Sequence, residues 1–198
     1  NQSTILDAVD YIYKVADSLG MACVINVSLG DYAGSHDGTD GSAVLIDSLV
    51  NAKPGRAFVC AAGNAGRYLF HLQHNVNADT TFTWFQYNAT SALGYGSVYY
   101  EIWADRADLK NVDFAIGANL PSGSYDLRAT TPFDNIQNRL GTVTDTLKNN
   151  GNVLGIVDTY GELQGDKYLL QIHIQEPDSN TYYFSLNTTG SGKLDIWS

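Results

Sequence analysis

The apolar residues in the first third of the chain follow two different periods. In residues 4–19 they recur every three or four positions, which places on one helical face Ile5, Val9, Ile12, Val15, Ala16 and Leu19. Residues 21–30 are almost continuously apolar, which is typical of a parallel strand covered on both faces. A similar strand is predicted over 57–62, after a helix over 42–52 that directs inward Val44, Leu45, Leu49 and Val50. The pattern therefore predicts a βαβ segment of an open α/β sheet in residues 1–66.

After residue 66 the pattern changes to short runs of strand-like residues. Eight to ten such runs are separated by Gly, Asn, Asp, Ser or Pro, and Leu170, Ile172 and Ile174 alternate with polar residues. Nineteen of the aromatic residues follow position 66, and only four precede it. Residues 67–198 are therefore predicted to form a second domain, an antiparallel jelly-roll-like β-sandwich. The predicted fold class is α/β plus all-β.

Composition and charge exclude some classes of protein. The chain has 198 residues, of which 44% are hydrophobic, so a packed core is expected. A formal net charge of −10 argues against nucleic-acid binding, because few cations are present to neutralise phosphates. No apolar run reaches the length needed to span a membrane. The chain begins inside a predicted helix and is expected to be an excerpt of a longer protein, with Cys23 and Cys60 as buried reduced thiols.

Candidate chemistry lies at the ends of the two predicted parallel strands. In open α/β sheets, ligands bind at the carboxyl ends of the strands, which here are residues 28–30 and 62–64. Asn64 carries a primary amide, which is a neutral hydrogen-bond donor, and the glycines around it allow close approach of a substrate backbone. Asn is also a common turn residue, because it tolerates left-handed backbone geometry.

Two segments are separated by a glycine-rich loop and a helix: Val24-Ile25-Asn26-Val27-Ser28-Leu29-Gly30 and Val59-Cys60-Ala61-Ala62-Gly63-Asn64-Ala65-Gly66. Together they resemble the middle of the catalytic domain of subtilisin-like serine proteases. This family is also called the subtilases, or peptidase family S8. The remainder of the chain resembles, by position and strand pattern, the jelly-roll insertion of some bacterial subtilases.

The resemblance implies roles for particular residues. Asn64 matches the Asn of the oxyanion hole, whose side-chain amide stabilises the charge that develops on the scissile carbonyl oxygen. The strand end that pairs with the substrate backbone is matched by Ser28, Leu29 and Gly30. One wall of the primary specificity pocket is matched by Ala61, Ala62 and Gly63. The resemblance also implies an extracellular or cell-envelope location.

The chain lacks the three members of a subtilase triad. None of the four histidines, His36, His71, His74 and His173, lies in an HGT motif, and no Ser lies in a GTS motif. The run of residues 189–192 is predicted to be a turn between strands. The fragment is therefore expected to be inactive alone, with a Ser-His-Asp triad outside this chain supplying catalysis in the full-length protein. Its expected partners are a polypeptide substrate and the remainder of the subtilase domain.

No cofactor is predicted. Asp37, Thr39 and Asp40 offer hard oxygen ligands, but they fall short of the six to eight that calcium requires. Two alternatives to a protease fragment remain open. One is a pseudoprotease with a decayed triad. The other is a carbohydrate- or protein-binding sandwich whose ligand platform is drawn from Trp84, Phe85, Tyr99, Tyr100, Trp103, Tyr182, Tyr183 and Trp197.

Overall fold

The chain divides into two compact units, residues 1–69 and residues 70–198. The computed structural model describes residues 2–30, 32–64, 66–77, 80–86, 98–120, 126–175 and 183–198, without the side chains of residues 2, 3 and 86. The predicted identities of the two parts, a partial subtilase catalytic domain over 1–66 and a jelly-roll insertion over 67–198, stay predictions. Tyr182, one of the candidate platform residues, lies outside the described residues.

The first unit contains two helices and two short strands. In chain order these are α1 (Gln2–Ser18), β1 (Cys23–Val27), α2 (Gly41–Asn51) and β2 (Arg56–Cys60). The strands pair in parallel, with Cys23 opposite Arg56 and Val27 opposite Cys60. The carboxyl ends of the two strands therefore lie side by side.

Both helices pack on one face of this strand pair. Ile25 is buried with Val9 and Tyr13 of α1, and half-buried apolar side chains complete the cluster: Cys23, Val27, Leu49, Val50 and Phe58. On the opposite face the side chains of Val24 and Val59 are 69% and 48% exposed. The prediction that these strands are covered on both faces is therefore wrong for this chain. The predicted inward face of α2 is also wrong in part, since Val44 and Leu45 are exposed.

Arg56 holds α1 against the start of β2. Its Nη2 donates a hydrogen bond to Asp17 Oδ2 at 2.7 Å, and its Nη1 donates to the carbonyl oxygen of Leu49 at 2.6 Å. The guanidinium lies over the ring of Tyr13, whose hydroxyl donates to the carbonyl oxygen of Ala57 at 2.8 Å. The hydrogen bond from Arg56 lowers the pKa of Asp17 below its usual value.

The second unit is built almost wholly from antiparallel strands. Its described strands are β3 (His71–Val76), β4 (Thr81–Gln86), β5 (Val98–Asp105), β6 (Val112–Asn119), β7 (Leu127–Thr130), β8 (Asp134–Asn135), β9 (Gly141–Asn149), β10 (Asn152–Gln164), β11 (Lys167–Gln175), β12 (Tyr183–Gly190) and β13 (Gly192–Trp197). One sheet has the order β3-β13-β5-β11-β10-β9. The other has the order β4-β12-β6-β7, with β8 also paired to β6. A short helix, α3 (Arg106–Lys110), and a 3-10 turn, Ile136–Asn138, are also present.

A single apolar core joins the two sheets of this unit. Leu170, Ile172 and Ile174 are fully buried, so the burial predicted from their alternation is confirmed. They share the core with Phe184 and Leu186 of the other sheet. Face-to-face packing of two antiparallel sheets over one core makes this unit a β-sandwich.

The predicted fold class is wrong. Strands account for 53% of the residues that the structure describes, and nearly all of their pairing is antiparallel. Among the residues that the structure describes, the parallel ladder of β1 and β2 joins two strands of five residues each, and one isolated parallel bridge joins Leu140 to Gly161; no subtilase βαβ core is seen there. The apolar runs over 21–30 and 57–62 predict a slice of a larger sheet, but the strands extend only over Cys23–Val27 and Arg56–Cys60. Cys60 is exposed rather than buried, because it lies at the carboxyl end of β2.

A polar contact between the two sheets crosses the sandwich at His74. Its Nε2 lies 3.0 Å from Thr188 Oγ1 and 2.8 Å from Thr81 Oγ1, and the two hydroxyls are 2.6 Å apart. His74 belongs to one sheet, and both threonines belong to the other. Partial burial disfavours the charged imidazolium and lowers the pKa of His74 below its ordinary value.

We expect the stability of the sandwich to fall as His74 becomes protonated. Because its pKa is lower in the folded state, the unfolded chain binds the proton first as the pH decreases. The stabilisation is fully present above the pKa of an unfolded His, about 6.5, and is lost as the pH falls from there toward the folded pKa. The measurement is the free energy of unfolding of the chain and of His74→Gln between pH 7.5 and 5. Tryptophan fluorescence reports this unit alone, because all three Trp residues lie in it. A difference between the two proteins that does not vary with pH would contradict the prediction.

Candidate functional site

Parallel pairing brings the two predicted substrate-binding segments to one edge of the strand pair. The ladder ends with Val27 opposite Cys60, and one further hydrogen bond runs from the backbone N–H of Ala61 to the carbonyl oxygen of Val27 at 3.2 Å. Beyond that bond the two segments are exposed at the same edge, and they comprise Ser28, Leu29, Gly30, Ala61, Ala62, Gly63 and Asn64. The side chain of Leu29 is 64% exposed.

Asn64 is exposed, and its backbone has a defined partner. Its N–H donates a hydrogen bond to the hydroxyl oxygen of Tyr32 at 3.1 Å. Its side-chain amide makes no hydrogen bond to any residue that the structure describes. The side-chain donor that the sequence indicates therefore has no acceptor among the described residues, while the adjacent backbone donor is engaged.

Gly63 allows the chain to turn between the end of β2 and Asn64. Its φ is +81°, which side chains of L-residues rarely adopt. A Cβ at this position would lie 2.7 Å from the hydroxyl oxygen of Tyr32 and 3.3 Å from its ring. Glycine is required here both by the backbone conformation and by the close approach of Tyr32.

The loop that carries Tyr32 is anchored to the start of α2. Asp40 caps this helix, because its Oδ1 accepts hydrogen bonds from the backbone N–H groups of Ser42 and Ala43 at 3.1 and 3.0 Å. Its Oδ2 accepts from the hydroxyl of Ser35, which is buried. The other two residues weighed as oxygen ligands are also engaged, since Asp37 accepts from the N–H and the hydroxyl of Thr39. These carboxylates therefore stabilise the loop.

A contact between His36 and Tyr32 closes the same loop. Nε2 of His36 lies 2.9 Å from the backbone carbonyl oxygen of Tyr32 and donates to it in the tautomer that carries this proton. His36 itself adopts a positive φ of 55°. Tyr32 is thus held at its carbonyl by one neighbour and at its hydroxyl by Asn64.

Sequence reasoning did not identify Tyr32. The sequence signal that could have drawn attention to it is weak. It is one of only four aromatic residues before position 67, and it lies in a loop of Gly, Ser, Asp and Thr that offers little else to bury. Which backbone group its hydroxyl contacts depends on how two loops from different strands meet, and that is not encoded locally.

The histidines outside this loop have partners unrelated to the strand ends. His71 contacts Asp195 at 3.2 Å and stacks on Trp197, with ring centroids 4.0 Å apart. Of residues 189–192, which were predicted to form a turn, Thr189 and Gly190 end β12, Gly192 begins β13, and Ser191 alone connects the two strands. Within the described part of the chain, no group of three or more His, Cys, Asp or Glu side chains could hold a metal ion. No helix among the described residues is long and apolar enough to cross a membrane.

The described structure has the fold of part of a protease. That protease is the CspB protease of Clostridium perfringens, with which the chain aligns over its whole length at a TM-score of 0.69 and 16% sequence identity. The alignment spans 39% of the length of the CspB chain. No family model matches the sequence, and no curated protein sequence matches it. At this level of identity the similarity establishes the fold.

We expect Gly63→Ala to destabilise the first unit more than Gly38→Ala. Both glycines have a positive φ, at +81° and +77°, but a Cβ at residue 38 meets no atom within 4 Å, whereas one at residue 63 meets Tyr32. Backbone strain alone should remove about 1 to 3 kcal/mol from the free energy of unfolding in either variant, and Gly63→Ala should lose more. Unfolding followed by the helical circular dichroism signal, to which α1 and α2 contribute, measures the difference. Equal losses would show that Tyr32 does not lie against Gly63 in solution.

Proposed function

We propose that this chain is part of a subtilisin-type serine endopeptidase and that Asn64 is its oxyanion-hole donor. The full-length protein would hydrolyse peptide bonds with a Ser-His-Asp triad that lies outside this chain. The observation that carries the proposal is the position of Asn64. Its exposed side-chain amide lies at the edge where the carboxyl ends of β1 and β2 meet.

Three further observations support the proposal. The INVSLG and AAGNAG motifs carry the subtilase resemblance, and residues 28–30 of the first and 61–64 of the second lie at this edge. The residues that precede Asn64, which are Ala61, Ala62 and Gly63, are small and exposed, and this leaves a substrate room to approach. The chain shares the fold of part of a protease along its whole length.

Asn64 would act by stabilising charge rather than by transferring a proton. When the nucleophile attacks a peptide carbonyl, the carbonyl oxygen becomes an oxyanion, and a fixed amide N–H lowers the energy of that state. A primary amide remains neutral throughout the pH range of the reaction. Asn64 is therefore proposed as an electrostatic donor and has no role as nucleophile or base.

The other predicted site residues would bind the substrate. Ser28, Leu29 and Gly30 extend from β1 and offer backbone donors and acceptors to an extended peptide. Ala61, Ala62 and Gly63 would form one wall of the primary specificity pocket, where their small side chains leave room for a large one. An extracellular or cell-envelope location forms part of this proposal and follows from the family resemblance.

The proposal predicts that Asn64→Ala in the full-length protein lowers kcat and leaves KM nearly unchanged. The amide contributes mainly to the transition state, in which the oxyanion exists, so substrate binding is hardly affected. Removing such a donor from subtilisin lowers kcat by about 10²–10³-fold, and a fall of that order is expected here. Steady-state hydrolysis of a chromogenic peptide measures both constants.

Asn51→Ala is the matched control for this experiment. Asn51 lies at the carboxyl end of α2, and its amide donates to Asp47 of the same helix, so its loss leaves the contacts of the strand ends in place. This variant should retain full kcat. If Asn64→Ala also retains full kcat, the oxyanion role is wrong.

A second candidate function, carbohydrate binding by the sandwich, is favoured by one observation. Phe82 and Trp84 on β4 are 50% and 38% exposed, and their rings stack with centroids 5.9 Å apart. Aromatic faces of this kind can bind the apolar faces of sugar rings. Most of the other candidate platform rings are less accessible, since Tyr100 and Trp103 are buried. Binding of a glycan to the chain that is abolished by Trp84→Ala, but not by Tyr160→Ala, would support this function.

A further inference from the structure

We propose that Tyr32 is a positioning residue that fixes the orientation of Asn64 through the backbone of Asn64. The inference rests on the proposed function, because it concerns how the oxyanion donor is held. It adds a residue that neither the subtilase-like motifs nor the fold comparison identifies. It also assigns a purpose to the loop between β1 and α2.

Two independent contacts connect Tyr32 to the turn that carries Asn64. The hydroxyl oxygen accepts the N–H of Asn64 at 3.1 Å. The ring and hydroxyl also lie so close to Gly63 that a Cβ there would come within 2.7 Å. One contact fixes the direction of the peptide plane before Asn64, and the other limits movement of the preceding residue. Together they restrict the direction in which the Asn64 side chain leaves the backbone.

Tyr32 can serve as a support because it is itself held. Its carbonyl oxygen contacts Nε2 of His36 at 2.9 Å. The loop beyond is connected through Ser35 and Asp40 to the N-terminus of α2. The support thus runs from a helix end to the hydroxyl that contacts Asn64. The ring is 41% exposed, so the hydroxyl is positioned at the surface rather than inside the core.

This arrangement also decides which donor of Asn64 faces a substrate. The backbone N–H is engaged by Tyr32, so an oxyanion would be bound by the side-chain amide. A donor is effective only when its direction is fixed before the charge develops, because reorientation during the reaction reduces the stabilisation. Loss of the Tyr32 hydroxyl should therefore reduce kcat without changing the groups that touch the substrate.

The test compares Tyr32→Phe with Tyr11→Phe in the full-length protein. Tyr11 is 68% exposed on α1 and is the matched control for removing a hydroxyl. We expect Tyr32→Phe to lower kcat roughly 3- to 10-fold with KM unchanged, which corresponds to the loss of one ordinary hydrogen bond. Tyr11→Phe should behave like the unmodified enzyme. If Tyr32→Phe matches Tyr11→Phe, or if it changes only KM, the inference is overturned.

A double-mutant cycle distinguishes positioning from general loosening of the fold. If Tyr32 acts through Asn64, Tyr32→Phe should have no further effect on kcat in an Asn64→Ala background. An undiminished effect in that background would mean that Tyr32 acts elsewhere, and the inference would be wrong. If Asn64→Ala alone leaves kcat unchanged, the proposed function fails first, and the role of Tyr32 fails with it.

Amide hydrogen exchange in the 198-residue chain distinguishes a failure of the positioning inference from a failure of the proposed function, because it requires no catalytic activity. The amide proton of Asn64 should exchange with solvent several-fold faster in Tyr32→Phe than in the unmodified chain, because its acceptor is lost. The amide of Ala61, which donates to Val27, is the internal control and should be unaffected. Unchanged exchange at Asn64 overturns the positioning inference even if Asn64→Ala is found to lower kcat.

Discussion

The candidate site depends on the parallel register between β1 and β2. Because Val27 lies opposite Cys60, the residues that follow each strand emerge at the same edge. A shift of the register would separate Ser28 from Ala61 along the strand direction and would remove the hydrogen bond that continues the ladder past its end. Two loops that lie far apart in sequence meet only because of this pairing. The position of Asn64 at this edge follows from it.

The register is maintained from one side of the strand pair. Both helices pack on the face that carries Ile25, and Arg56 connects α1 to the beginning of β2 through Asp17. The opposite face leaves Val24 and Val59 exposed. The apolar side chains on that opposite face therefore do not maintain the register of β1 and β2. The helical face and the ion pair are sufficient to explain why the strand ends meet where they do.

The two units differ in how they use aromatic and polar residues. In the sandwich, one continuous core joins both sheets, and polar groups such as His74 are paired across it. In the first unit, few side chains are fully buried, and Tyr32 contributes its hydroxyl to the surface turn at Gly63. The turn at Gly63 leaves Asn64 exposed. A continuous core suits a role that demands stability.

Much of the local structure could be predicted from the sequence. The helices α1 and α2 begin and end within two residues of their predicted boundaries, because apolar spacing and glycine residues at helix ends act over only a few residues. The alternation over Leu170, Ile172 and Ile174 correctly indicated burial. The predicted fold class is wrong, because the two apolar runs that predict a larger parallel sheet form strands of only five residues each. Continuous apolar character predicts burial on two faces, and only packing partners decide whether both faces are covered.

The amino-acid sequence alone indicates α1 and α2, the glycine at position 63 and the amide donor at position 64. These depend on backbone sterics and on the chemistry of single side chains, which act locally. Packing and strand pairing determine that the backbone N–H of Asn64 is engaged by Tyr32, that Val24 is exposed, and that His74 contacts two threonines of the opposite sheet. The contacts of Asn64 with Tyr32 and of His74 with Thr188 join groups that lie 32 and 114 residues apart in the sequence. No local sequence pattern predicts these contacts, because they depend on packing and strand pairing across the whole unit.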